Sequence, residues 1–159
     1  MKLSPYLKRI QEKMQPGVLT LRGFLGTDTR NLSEILIEDA ATVRSFRASN
    51  EKIAAALEKI TVKATHLMET EVEVNGRFLV KVRDDRGKLP SPWGDGSFDK
   101  GDTQLSDPVT GVSMFWNSLS VHMIRSHGFY NGKGSPYRID PATVIKLFSL
   151  AEHDIEIEE

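Results

Sequence analysis

Glu71-Val72-Glu73-Val74-Asn75-Gly76-Arg77-Phe78-Leu79-Val80-Lys81-Val82 is the stretch that decides the fold. Asn-Gly readily takes the positive φ values of a type I′ turn, and apolar residues alternate with charged ones on both sides of it. The spacing predicts an antiparallel β-hairpin over 71–82 with one face on a core and one in water. Upstream, Ile53, Leu57, Ile60, Ala64 and Leu67 recur at intervals of four and three, the stripe of an amphipathic helix. Before it, Asn31 with Glu34 three residues on reads as a capping box, and Leu32, Ile35, Leu36, Ala40, Val43 and Phe46 share one helical face. At the N-terminus Ser4-Pro5 pairs a capping oxygen with a ring whose missing N–H costs nothing in the first turn, and Leu3, Leu7, Ile10 and Met14 form the stripe. Pro16-Gly17 ends that helix, and the β-branched and apolar residues of 18–22 predict a strand.

Downstream of the hairpin the periodicity vanishes. Residues 84–111 carry glycines and prolines at short intervals and are expected to form a long ordered loop, pinned by Leu89, Trp93, Phe98 and Leu105. Val112, Met114 and Trp116 alternate as a short strand, and Ser118 caps a helix running from 119 to about 127, which Gly128 ends. A second irregular stretch, 128–139, precedes Asp140-Pro141, a further cap and first-turn proline. The last helix then buries Val144, Leu147, Phe148 and Ala151. The tail, 152–159, is acidic, and its Ile155 and Ile157 suit either an edge strand or a solvated end. The expectation is one α+β domain over 1–159, a small and largely antiparallel sheet of about four strands including the 71–82 hairpin, covered by about five helices.

Composition narrows the function classes. The 159 residues include 21 Lys and Arg against 22 Asp and Glu, and the net charge of −1 gives no general attraction to nucleic acid or to an anionic membrane. Basic residues are not interleaved with aromatics in an RNA-reading pattern. With no cysteine, disulfides, thiolate metal sites and cysteine nucleophiles are excluded. No apolar run approaches the ~20 residues of a membrane-spanning helix, and the first residues do not resemble a secretory signal, so a cytoplasmic setting is expected. G-x-S-x-G, H-E-x-x-H and nucleotide fingerprints are all missing, and no cofactor is indicated.

The two irregular stretches are where chemistry is expected. If the strand from Val112 and the helix from Leu119 run in opposite directions, both stretches meet at one end of the domain. A shared site of Trp93, Asp95, Asp99, Asp102, His127, Lys133, Tyr137 and Arg138 follows from that geometry. Gly132-Lys133-Gly134-Ser135 supplies backbone N–H groups, a cation and a hydroxyl for an anion, without the spacing of a Walker loop. Arg138 offers a planar fork to a carboxylate or phosphate, or else simply pairs with Asp140. Trp93 is a wall and Tyr137 a polar contact. His127, at a helix C-terminus beside Gly128, is the candidate proton carrier, or merely a cap.

No metal is expected. Five residues on a helix set His122 and His127 about 140° apart, unlike a chelating i, i+4 pair, and they converge only if the helix ends before His127. His122, on a face with Leu119 and Met123, reads as a satisfied subcore histidine. Asp95, Asp99, Asp102 and Asp107 miss the EF-hand spacing and read as turn and cap residues. Residues 23–28, leading into a helix, are a lesser anion candidate. Two functions remain. One is a domain binding a small anionic or polar ligand between 84–111 and 128–139, with acid/base chemistry at His127. The other is a non-enzymatic homo-oligomeric module using Trp93, Phe98, Phe129 and Tyr130 as an interface.

Overall fold

A computed structural model describes residues 3–67 and 70–152. The chain runs α1 (Pro5–Lys13), α2 (Leu32–Ser45), α3 (Asn50–Leu67), β1 (Val72–Val74), β2 (Phe78–Pro90), β3 (Ser97–Ser106), β4 (Ser113–Trp116), α4 (Ser118–His127) and α5 (Pro141–Phe148). This is an α+β fold, with five helices and a four-stranded antiparallel sheet in the order β1-β2-β3-β4.

The Asn75-Gly76 turn forms as the sequence predicts, both residues at positive φ, with Val72 opposite Val80 and Val74 opposite Phe78. The pairing continues across the sheet, so that Val72, Val80, Leu105 and Met114 make one row over all four strands, each nearly or fully buried. Two residues further along the same face, Thr103 lies opposite Trp116. The α3 stripe of Ile53, Leu57, Ile60 and Ala64 covers these rows, and α5 closes the same core with Val144, Ile145 and Leu147. Polar atoms pin the helix to the sheet: the Trp116 indole N–H donates to Thr61 Oγ1 at 2.9 Å, and Thr61 Oγ1 lies 2.8 Å from Thr103 Oγ1. An indole buried to 1% exposure needs such a partner.

A second core lies beside the first. Ile10 and Met14 of α1, Leu32 and Ile35 of α2, Leu119 and Met123 of α4, and Phe24, Leu25 and Phe129 pack together. α4 serves both cores, since its Val121 and Ile124 face the sheet core. The helix starts follow the sequence: Ser4 accepts from Leu7 N–H, the Asn31/Glu34 capping box is closed in both directions, and Asp140 accepts from Thr143 N–H. Asn117, one residue before the expected Ser118, caps α4, and Gly128 ends it at φ 64°. α5 stops at Phe148, because Ser149 turns left-handed.

Two expectations are corrected. Residues 18–22 form no strand. Gly17 N–H bonds to Thr20 O in a turn, Leu21 is 86% exposed, and Phe24 N–H returns to Met14 O at the end of α1. Their apolar character serves no sheet edge, as the described sheet is complete from β1 to β4. The long loop over 84–111 is mostly strand: β2 and β3 extend the hairpin into a two-stranded ribbon, with an irregularity between Asp84 and Lys88. Both faces of the outer ribbon meet water, so its sequence lacks the hydrophobic alternation that marks a half-buried strand. Only Leu89 and Phe98, opposite one another, fold back on the second core. The true connection is residues 91–96, closed by Ser91 N–H to Gly96 O at 2.9 Å. Of the acidic tail, 153–159 lies outside the described residues, while Glu152 pairs with Lys52 at 3.5 Å.

Candidate functional site

The ribbon meets the 128–139 segment at one place, and its 91–96 connection meets the end of α4 at another. In the first, the Tyr137 hydroxyl donates to both oxygens of Asp102, at 2.9 Å each. This pair lines a cavity of about 680 Å³ whose apolar lining includes Phe24, Leu89, Phe115, Leu119 and Met123. Its charged residues are Arg22, Arg83, Arg86 and Lys100 against Asp85 and Asp102. Among the described residues none of those four cations is held in an ion pair or a side-chain hydrogen bond. Desolvation first, and then the Asp102 carboxylate, push the Tyr137 phenol up to about 12, so it is a hydrogen-bond donor at neutral pH.

In the second place, the 91–96 connection carries Trp93 and Asp95 onto the C-terminal half of α4. His122 Nε2 lies 2.9 Å, and His127 Nε2 2.7 Å, from the same oxygen, Asp95 Oδ2. Trp93 stacks on the His127 ring, with centroids 4.1 Å apart and 4° between planes, and Phe98 stacks on His122 at 4.5 Å. The two imidazoles stand at 83° to one another with centroids 5.5 Å apart. Burial raises the Asp95 carboxyl, but hydrogen bonds from Ser91, His127 and His122 outweigh it, holding the group well below the usual carboxylate range. One donor atom from each of Asp95, His122 and His127 falls within 4.8 Å of the other two, so these three residues have the reach to hold a metal ion. The expectation that His127 must leave the helix for the rings to converge is corrected: it is the last residue of α4, and the rings meet there.

The remaining sequence candidates take other places. Arg138 is engaged internally: Nη1 and Nη2 reach Asp39 Oδ2 and Oδ1 at 2.6 and 3.0 Å, Nη1 also donates to Asn131 O, and Asp140 lies 3.6 Å away. The pairing with Asp140 foreseen in the sequence is thus the lesser contact, and the partner is a buried Asp39 on α2. The glycine loop does cradle an anion, but one of the chain's own. Lys133 N–H donates to Asp28 Oδ2 at 3.0 Å, and Gly132 N–H is taken by Phe24 O. The Arg30 guanidinium, bidentate on Asp28, opposes desolvation and joins Lys133 N–H in holding that carboxyl well below its usual range. The Lys133 ammonium is exposed, 3.9 Å from Glu38.

Asp99 pairs with Lys88 across the ribbon at 2.9 Å. Asp107 builds a turn, accepting from Val109 and Thr110 N–H and taking the Arg77 fork at 2.8 and 2.6 Å. Phe129 and Tyr130, expected at an oligomer interface, are instead buried to 0% and 1% exposure within the chain's own cores. The cavity's cations were missed in the sequence because they arrive from three separate segments, and only their convergence on one cavity without an ion pair to Asp85 or Asp102 distinguishes them.

Fold and site together define an α+β domain with a cation-rimmed cavity and a separate cluster of two histidines on one aspartate. The chain matches no protein-family model, no curated protein and no solved structure.

Proposed function

We propose that this chain binds a small amphipathic anion, a carboxylate or phosphate attached to an apolar body, in the cavity between the β2/β3 ribbon and the 128–139 segment. The observation that carries the reading is the set of four cations around one cavity, Arg22, Arg83, Arg86 and Lys100, none held by an acidic partner. Arginine forks suit planar oxyanions, and a volume near 680 Å³ falls in the range of small-ligand pockets. Phe24, Leu119 and Met123 offer the apolar body a surface, while Asp102 positions the Tyr137 hydroxyl. His127, Trp93, Lys133 and Arg138 do not line this cavity, so the reading is of binding and not of acid/base catalysis by His127. No described helix is long and apolar enough to cross a membrane, and a cytoplasmic setting belongs to the same reading.

The test is a titration of the ¹⁵N-labelled chain with phenyl phosphate, followed by amide shifts. Shifts are expected to concentrate at 20–24, 83–89, 119–123 and 131–137. The double variant Arg83→Ser, Arg86→Ser is expected to weaken binding about tenfold or more, equivalent to about 1.4 kcal/mol. Shifts that are absent at millimolar ligand, or that persist unchanged in the double variant, refute the proposal.

A further inference from the structure

We propose that Asp95, His122 and His127 form a binding site for a divalent transition-metal ion of the zinc, cobalt or nickel type. The site is separate from the cavity proposed above, shares no residue with it, and stands or falls independently. The donor set sets the class of ion. Two imidazole nitrogens and one carboxylate oxygen suit borderline ions, whereas calcium and magnesium call for six or more oxygens. Three protein donors leave a fourth tetrahedral position for water, the arrangement of open rather than closed zinc sites.

The geometry is close to what such an ion needs. Bonds of about 2.1 Å in a tetrahedron separate the donor atoms by about 3.4 Å. Here the two nitrogens lie 2.9 and 2.7 Å from Asp95 Oδ2, and all three donors fall within 4.8 Å of one another. Admitting the ion requires the carboxylate to withdraw by roughly half an ångström. Asp95 is carried by the short 91–96 connection with its side chain 36% exposed, and the hydrogen bond it accepts from Ser91 is the tie that such a movement has to stretch. Each histidine stacks on an aromatic ring, His127 on Trp93 at 4° and His122 on Phe98 at 26° between planes, which restrains both imidazoles. Ser126 Oγ lies 3.4 Å from His122 Nδ1, on the far side of the ring from the donor nitrogen, where an outer partner orients a metal-ligating imidazole. The His side chains are about one-fifth exposed, which leaves the water position open to solvent.

Without a metal, the same three groups form a hydrogen-bonded clasp in which both imidazoles donate to one oxygen. An ion takes the Nε2 lone pair of each ring while the ring proton moves to Nδ1, and acid, which protonates the ligand nitrogens, competes with the metal.

The experiment is calorimetric titration of the full chain with zinc chloride at pH 7.5, with cobalt(II) absorption as a second probe. One zinc per chain is expected, together with visible cobalt bands of a four-coordinate site. His122→Gln and His127→Gln are each expected to weaken zinc binding by more than about a hundredfold, since even outer partners of metal ligands are worth about 10- to 100-fold. His66→Gln and His153→Gln are expected to leave binding unchanged. Should the site variants fold poorly, imidazole ¹⁵N shifts of the unmodified chain serve instead, and zinc is expected to move His122 and His127 but not His66 or His153. Failure to bind zinc stoichiometrically, or binding that follows His66 or His153, overturns the proposal.

Discussion

Removing the Arg138 guanidinium tests whether that residue belongs to a ligand site or to the framework. In Arg138→Met, the Asp39 carboxylate, with a side chain only 6% exposed, loses two hydrogen bonds of 2.6 and 3.0 Å, and Asn131 O loses a third of 2.9 Å. Arg138 itself is 12% exposed, so water screens the pair poorly. Stranding one partner of such a pair costs about 3–5 kcal/mol. For a chain of 159 residues, at roughly 2–4 °C per kcal/mol, the melting temperature should fall by about 6–20 °C. Replacing both partners by methionine removes the stranded charge and leaves mainly the Asn131 carbonyl without its donor, at about 1–3 kcal/mol. The double variant should therefore be more stable than Arg138→Met alone. Urea unfolding followed by circular dichroism at pH 7 measures both, provided the denaturant slope is constant. Arg138→Lys keeps the charge but loses the fork, and should fall between wild type and methionine. An Arg138→Met chain within about 1 kcal/mol of wild type, or a double variant as unstable as the sum of the single losses, refutes the framework role.

Two further outcomes follow from the glycine loop and its captive carboxylate. A Cβ on Gly132 stands 2.3 Å from Leu25 O and 2.7 Å from Leu25 Cα. Both are backbone atoms with no rotamer to give way, so Gly132→Ala should cost near the top of the ~1–3 kcal/mol overpacking range, and a neutral result in urea unfolding refutes the close approach. The Asp28 carboxyl is depressed in the fold, so its stabilisation is complete above the ordinary value of 3.8 and is lost as pH falls below it. Stability measured from pH 5 down to 2.5 should fall less steeply in Asp28→Asn than in wild type, and equal slopes refute the assignment.

The framework was legible where local chemistry and tertiary packing agree. The Asn75-Gly76 turn, the Asn31/Glu34 box, the Asp140-Pro141 start and the Gly128 stop each satisfy a backbone requirement within four residues, and each forms. What failed depended on distant partners. The outer ribbon is held by cross-strand bonds and by Lys88 facing Asp99, with water on both faces, so no hydrophobic period marks it. Residues 18–22 have strand-like composition but no neighbouring strand to pair with. Asp39 sits among the apolar positions of α2, and its burial makes sense only once Arg138 is seen 99 residues later. The site divided for the same reason. Trp93 and His127 were rightly associated in space, but the element that joins them to His122 is Asp95, whose reach depends on a ribbon the sequence did not reveal.

The crossing of residues 24–27 with 132–133, where Gly132 N–H bonds to Phe24 O, also has a temporal side. Thr27 N–H bonds to Lys133 O across 106 residues, and Arg138 reaches Asp39 across 99. During synthesis at about 5–20 residues per second, α1 and α2 therefore emerge some 5–20 s before the strands of chain that complete their core. Over that interval Leu32 and Ile35 have no Met123 or Phe129 to pack against. The first third of this polypeptide thus waits for its last third to complete the second core, and ordering of that core is expected to be the late, rate-setting event of folding.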